Sequence, residues 1–285
     1  MKKFAIIVNA LKDRNLAETR RLCSYITTRG GSCFYLISVD EKEGIQKVQA
    51  HDIPKDTECI LVLGGDGTLI RAARDTVECG VPLIGVNMGT LGYLCELEES
   101  SVYEAVDALM HNEYMLEERM MLSGYRPEDS GEPARRALND IVIHRTGTLS
   151  LVSLTVYVNG QYLNTFQGDG IILSTPTGST AYNLSAGGPI VDPKAELLLL
   201  TPINSHTLTP RSIVIDAQDE ITVEAGSRRD LRDDTAEVSF DGDHGWLLHA
   251  GECIQIRKAR ERAKILKFSK ISFLEILRKK MQTFH

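Results

Sequence analysis

Ile60-Leu-Val-Leu-Gly-Gly-Asp-Gly-Thr68 decides the fold, because four apolar β-formers run straight into a glycine-rich turn with one carboxylate at its centre. A continuous apolar run of this length reads as a strand buried on both faces, the kind found in helix-covered parallel sheets. The strand carries the turn to the edge of its sheet. Gly64, Gly65 and Gly67 leave the backbone N–H groups open to a phosphate chain, and Thr68 adds a hydroxyl. Asp66 would then stand beside phosphates. That is repulsive unless the carboxylate holds a Mg²⁺ ion or takes a proton from an attacking hydroxyl, so the stretch points to phosphoryl transfer. A tight strand-to-helix connection is the alternative, and the turn alone does not separate the two.

On either side the first third of the chain alternates strand and helix. Phe4 to Val8 reads as a strand, and Leu16, Leu22, Cys23 and Ile26 recur at helical spacing until Gly30-Gly31. Cys33 to Ile37 is a second strand. After the glycine turn, Leu69, Ile70, Ala72, Ala73 and Val77 mark a helix that leads to a strand at 82–86. This βαβ series calls for a Rossmann-like parallel sheet with helices on its faces. Ser100 or Ser101 starts a further helix to about Met110, with Glu104 completing a capping box if Ser101 is the cap. Asn87 to Tyr93 forms a second glycine turn at a strand end. Two such turns side by side make a cleft at the carboxyl edge of an α/β sheet.

Beyond residue 118 the pattern becomes mainly β. Leu138 to His144 and Leu151 to Val158 alternate as half-buried strands do, and Asn159-Gly160 is a hairpin signal. Further strand-like runs lie at 170–174, 211–215, 220–224, 236–240, 246–249, 253–257 and 264–268. Residues 226–235 read as an exposed charged loop, and Ile271 to Phe284 as an amphipathic helix. The expected organisation is an α/β domain over 1–118, a β-rich domain over 119–268, and a C-terminal helix over 269–285 packing on the first domain.

The composition is that of an ordinary globular chain. It has 285 residues with 42% apolar and 25% charged content, and a net charge of −7 argues against a nucleic-acid binder. Six cysteines without metal-site spacing read as buried reduced thiols, which favours a reducing compartment. No run approaches the ~20 apolar residues of a membrane span. The expected setting is the cytoplasm.

A second glycine-rich stretch spans 168–189 and is dense in small hydroxyl residues: Ser174, Thr175, Thr177, Ser179, Thr180 and Ser185. Such side chains offer neutral donors and acceptors to a nucleoside, while Ile171, Ile172 and Leu173 tie the stretch to a buried strand. The turn at 64–68, the pair Asn139-Asp140, the stretch 168–189 and His206 to Ile215 together resemble the NAD kinases over most of the chain. The turn is shared with diacylglycerol kinases, sphingosine kinases and phosphofructokinases. Thr175-Pro-Thr-Gly-Ser-Thr-Ala-Tyr182 is the more specific element.

The resemblance implies transfer of the terminal phosphoryl group of ATP to the 2′-hydroxyl of the adenosine ribose of NAD, with Mg²⁺ or another divalent metal. Inorganic polyphosphate stays open as an alternative donor. It implies Asp66 as general base or metal ligand and Gly64, Gly65, Gly67 and Thr68 as the phosphate site. It implies NAD contacts at Asp66, Gly67, Asn139, Asp140, Asp169, Thr177, Thr180, Ala181, Tyr182 and Ser185. Asn139 and Asp140 belong near the nicotinamide-side ribose, although the family more often has Asn-Glu. Residues 177–185 belong around the adenine, and Asp169 near the nicotinamide amide. The family also implies homodimers or homotetramers with sites shared between subunits, and ATP and NAD are expected to meet in the cleft between the two domains.

Other residues take plainer readings: His206 as a structural hydrogen-bonding residue, His144 as a strand side chain, and Asp241-Gly242 as a β-turn. Arg71 and Arg74 are either phosphate contacts or solvated helix charges. Two rivals remain, a lipid kinase, which would need an apolar acyl entrance, and a nucleotide-binding regulator without catalysis.

Overall fold

The computed structural model describes residues 1–38, 47–89, 92–128, 133–146, 151–206, 211–226, 235–268 and 271–282. The chain divides into two compact units, Met1–Glu118 with Glu261–His285, and Arg119–Arg260.

The elements in chain order are β1 (Lys3–Asn9), α1 (Ala17–Thr28), β2 (Ser32–Ser38), β3 (Cys59–Gly64), α2 (Asp66–Thr76), β4 (Leu83–Asn87), β5 (Leu97–Glu98), α3 (Val102–Met110) and β6 (Met115–Tyr125). They continue with β7 (Arg135–Ala137), β8 (Asp140–Arg145), β9 (Val152–Val158), β10 (Gln161–Gly168), β11 (Gly170–Ser174), α4 (Tyr182–Ser185), β12 (Leu197–Ile203) and β13 (Ile213–Asp216). Last come β14 (Ile221–Ala225), β15 (Thr235–Phe240), β16 (Asp243–His249), β17 (Cys253–Lys267) and α5 (Phe273–Gln282).

In the first unit, β2, β1, β3 and β4 lie side by side, all parallel, and β5 pairs in parallel with the last two residues of β4. Every residue of β3 and β4 is buried, as the apolar run at 60–63 requires. Leu22 and Ile26 of α1 and Val102, Val106 and Leu109 of α3 pack with Ile6, Leu61 and Ile84 into one core. The strand order places β1 and β3 next to each other although β2 comes between them in the chain. Their carboxyl ends therefore form the crevice in which open α/β sheets take up ligands.

The second unit is a sandwich. A six-stranded antiparallel sheet runs β13, β12, β11, β8, β15, β16, and a second sheet pairs β10, β9, β14 and the first part of β17. Ile141, Ile143, Ile171 and Leu173 from the first sheet share a core with Leu154, Val156, Val223 and Ile254 from the other. The hairpin signal holds. Asn159 and Gly160 join β9 to β10 with φ of 50° and 77°, both positive as a type I′ turn demands.

Several expectations need correction. The runs 253–257 and 264–268 are one strand: the buried positions shift phase after Ile254 and Ile256, and Ala259, Ala263 and Ile265 are buried while Lys258, Arg260 and Arg262 take the positions between. Leu197–Ile203 is a strand that is not among the expected runs; its Pro202 lies beyond Leu200, the last residue paired with β13. Ser101 makes no capping box with Glu104, because its hydroxyl accepts the Glu98 N–H instead. Cys23 and Cys33 are joined in a disulfide between α1 and β2, so these two are not free thiols. Of the others, Cys59 and Cys95 are buried and Cys79 and Cys253 are half-buried. Residues 227–234 of the expected charged loop, 207–210 of the His206 segment, and 283–284 of the expected C-terminal helix lie outside the described residues. No described helix is long and apolar enough to cross a membrane.

Candidate functional site

The glycine turn sits at the carboxyl end of β3, with Gly65 as the N-cap of α2 and Asp66 as its first residue. Helix geometry leaves the N–H groups of Asp66 and Gly67 without an intrahelical carbonyl, and an anion is favoured in front of them. Thr68 is buried, and Asn9 at the end of β1 reaches its hydroxyl at 3.4 Å. The second glycine turn is tied to the first by the Met88 N–H, which donates to the Gly64 carbonyl at 2.7 Å. Two neighbouring strand ends thus present their turns together, as the sequence suggested; Thr90 and Leu91 lie outside the described residues.

Asp66 is more engaged than its sequence role requires. Its carboxylate accepts the backbone N–H groups of Tyr93 (2.6 Å), Cys95 (2.9 Å) and Leu94 (3.2 Å). It also borders the buried Cys95 thiol, whose pKa is pushed up by burial and then by the neighbouring carboxylate charge. A Cβ on Gly92 would stand 2.1 Å from both Asp66 oxygens. The carboxylate is therefore the anchor of the 92–95 segment. An ionised carboxylate has about four lone-pair sites, so three accepted bonds leave room for one further proton or ligand.

In the second unit, register brings Asn139 and Asp140 against the 174–178 segment, where the Thr175 N–H donates to the Asn139 carbonyl at 2.8 Å. Ser174 at the end of β11 pairs with Asp140 at the start of β8, and Phe240 at the end of β15 pairs with Ile141. Asp241 closes the arrangement by accepting the N–H groups of Asn139 (2.7 Å), Leu138 (2.8 Å) and Asp140 (3.2 Å). The Asp140 carboxyl is buried beside it, and desolvation followed by the Asp241 charge pushes its pKa up to about 7. The Asn139 side-chain oxygen and the Thr177 hydroxyl are both buried without a hydrogen-bond partner among the described residues. Buried polar atoms left in this condition call for an explanation, and an absent ligand is one.

The hydroxyl-rich stretch divides in two. Thr175 donates to Leu138 O at 2.7 Å, Ser174 to Asn139 O at 3.2 Å and Ser179 to Pro176 O at 2.7 Å, so these three hold the loop rather than a nucleoside. Thr180 and Ala181 are half-buried, while Tyr182 and Ser185 are exposed. A cavity of about 530 Å³ runs from Tyr182 and Gly242 past Val142 and Ile203 to Asp169. Asp169 precedes β11 and Thr175 follows it, so the two stand ~20 Å apart by strand rise. Arg145 (2.6 Å) and Asn204 (2.7 Å) each donate to one of its oxygens, and these bonds hold its pKa below the usual carboxylate range, Asn204 contributing most.

Sequence reading misses three participants: Asp241 is read as part of a β-turn, and Asn204 and Arg145 are not singled out. The Asp241-Gly242 turn is real, with φ of 51° and 80°, but its carboxylate also clamps Asn139-Asp140. His144 is a half-buried residue of β8, and the His206 side chain is exposed. Arg74 is buried and paired with Asp75 at 2.7 Å, which rules it out as a solvated helix charge. Among the described residues no group of three or more His, Cys, Asp or Glu side chains could cage a metal ion. Asp66 is the carboxylate within the turn, and hard divalent ions take oxygen ligands of this kind.

Family models described as the ATP-NAD kinase N-terminal domain and the ATP-NAD kinase C-terminal domain match residues 4–114 and 138–268. The chain is 53% identical to an NAD kinase of Agathobacter rectalis over 284 residues, which spans 100% of both chains. It is 42% identical to an NAD kinase of Lachnospira eligens, covering 99% of this chain and 100% of that one. Among solved structures, a yeast NADH kinase complexed with NADH has the same fold, with TM-score 0.83 at 20% identity, covering 99% of this chain and 88% of that one. An NAD kinase from Archaeoglobus fulgidus in complex with ATP gives a TM-score of 0.74 at 23% identity, over 98% and 99% of the two chains.

Proposed function

The chain belongs to the NAD kinase family, and from that premise we propose that it transfers the terminal phosphoryl group of ATP to the 2′-hydroxyl of the adenosine ribose of NAD, giving NADP and ADP. The observation that carries this is the 53% identity, end to end, with an NAD kinase.

The site residues are assigned in the same reading. Gly64, Gly65, Gly67 and Thr68 receive the donor phosphates on the exposed N–H groups at the start of α2. Asp66 uses its remaining lone pair as the general base for the ribose hydroxyl, a role typically worth ~10²–10⁴-fold in rate. The 92–95 amides hold that carboxylate in place. Asn139 and Thr177 supply the unsatisfied buried groups for NAD, with Asp140 beside them, and Thr180, Ala181, Tyr182 and Ser185 border the adenine. Asp169 addresses the nicotinamide amide. The separation of Asp169 from the 177–185 segment along one cavity suits an extended dinucleotide.

A divalent ion, Mg²⁺ in this proposal, neutralises charge on the donor phosphates when bound. The protein works in the cytoplasm as a homodimer or homotetramer, with neither membrane nor nucleic acid as partner. Purified protein is incubated with Mg²⁺, ATP and NAD, and NADP is read with an NADP-specific dehydrogenase. Absence of NADP with ATP or polyphosphate, across several divalent metals, rejects the reading. Loss of product on chelation and its return on adding Mg²⁺ checks the metal.

A further inference from the structure

The turn at 64–68 has no lysine of the kind that many nucleotide-binding loops place on the phosphates, yet the structure brings one to it from another strand. Lys12 follows β1, the neighbour of β3 at the point where the strand order reverses. A Cβ built on Gly65 would stand only 2.9 Å from the Lys12 Nζ, so the ammonium lies directly over the backbone of the phosphate turn. Its backbone is held on both sides. The Lys12 and Asp13 N–H groups both donate to Asn9 O, at 2.9 Å and 3.1 Å. The buried Asp13 carboxylate accepts the Thr19 hydroxyl (2.6 Å) and the N–H groups of Thr19 and Glu18 (2.8 and 3.1 Å), fixing the loop to the start of α1. Asn9 also reaches across to Thr68. The Lys12 ammonium itself is exposed and has no ion-pair partner among the described residues.

We propose that Lys12 is the cation of the donor site, a positioning residue that lies against the terminal phosphoryl groups held by the 64–68 turn. The inference rests on the reading of that turn as the donor phosphate site. A flexible ammonium on a fixed loop suits the task, since phosphoryl transfer asks for alignment and charge neutralisation and a lysine serves phosphate as a mobile point charge. Its place at the junction of β1 and β3 follows from topology. A cation on that loop reaches the crevice without occupying a position in the glycine turn, where a side chain would obstruct the phosphate.

The test compares Lys12→Met and Lys12→Arg with the unaltered protein, varying ATP at saturating NAD and NAD at saturating ATP. Lys12→Met should raise KM for ATP about tenfold or more, as removal of a charge-assisted bond does, with KM for NAD within twofold. Lys12→Arg should recover most of that loss. Calorimetric titration with inorganic tripolyphosphate gives a readout independent of turnover, and Lys12→Met should weaken that binding by a similar factor. Unchanged KM for ATP and unchanged tripolyphosphate binding in Lys12→Met overturn the proposal. A protein that makes no NADP but binds tripolyphosphate through Lys12 would refute the proposed function and uphold this inference.

Discussion

Asp66→Asn separates the two tasks that the structure assigns to one carboxylate. In the native arrangement one oxygen accepts Leu94 and Cys95 and the other accepts Tyr93. An asparagine keeps its oxygen toward one side only and presents an NH₂ group to an N–H on the other. Hydrogen bonds to charged groups contribute about 1.5–3 kcal/mol each. Because Asp66 is half-buried, the loss of one such bond and the weakening of the rest come to about 2 kcal/mol. The backbone amides of 93–95 report it directly, since protection from hydrogen exchange falls with the free energy of local opening. Their exchange should speed up by roughly 30-fold, because every 1.4 kcal/mol is tenfold, while amides in β11 and β12 keep their rates. Turnover should fall by about 10²–10⁴-fold if the carboxylate is also the base. Gly92→Ala is the companion variant: its Cβ meets the carboxylate at 2.1 Å, so it loosens the same segment but leaves the base chemically intact and costs less turnover. Unaltered exchange at 93–95 in Asp66→Asn would refute the anchoring argument, and turnover within tenfold of normal would remove Asp66 from the role of base.

Gly178→Ala places a Cβ 2.2 Å from the Asn139 carbonyl oxygen; since backbone cannot yield as a side chain can, it should cost about 3 kcal/mol or more, read as a lowered denaturation midpoint of the second unit through Trp246 fluorescence. Asp140 has its pKa raised to about 7 by burial and by Asp241. A carboxyl so raised contributes stability that is complete below its unfolded value near 4 and is lost as the pH climbs through 7. Asp140→Asn should therefore gain on the unaltered protein between pH 5 and pH 8 in urea midpoint, and an equal difference at both pH values would exclude that origin. Asn204→Ala removes one of the two donors on Asp169 and should raise KM for NAD several-fold with kcat little changed, whereas an unchanged KM would detach Asp169 from NAD.

Much of the fold was readable because its decisive segments are local. The run at 60–63 is long enough to need burial on both faces, and Asn159-Gly160 dictates its own turn. Where reading failed, local chemistry opposed the tertiary answer. Lys258, Arg260 and Arg262 broke β17 in two on paper, although Ala259 and Ala263 between them are buried in one continuous strand. The strand β12 was not expected at all, and its Pro202 is tolerated because no β13 residue pairs at that position.

The candidate site followed the same division. Residues inside one continuous motif, such as Thr177 to Ser185, were visible as a group, but the motif could not say which hydroxyls are already spent. Ser174, Thr175 and Ser179 bond to the backbone of their own loop and its neighbour, which leaves Thr177 as the buried hydroxyl of this stretch without a partner among the described residues. Asp241 lies a hundred residues beyond Asn139, and its role exists only because β15 pairs with β8 in a register that ends at Phe240 and Ile141. A one-residue slip of that pairing would send the carboxylate away from the 138–140 amides. Without that clamp the Asn139 oxygen would lose its fixed direction, and an unfixed acceptor orders only when ligand arrives. Register, more than residue choice, therefore prepares this end of the sheet for a nucleoside.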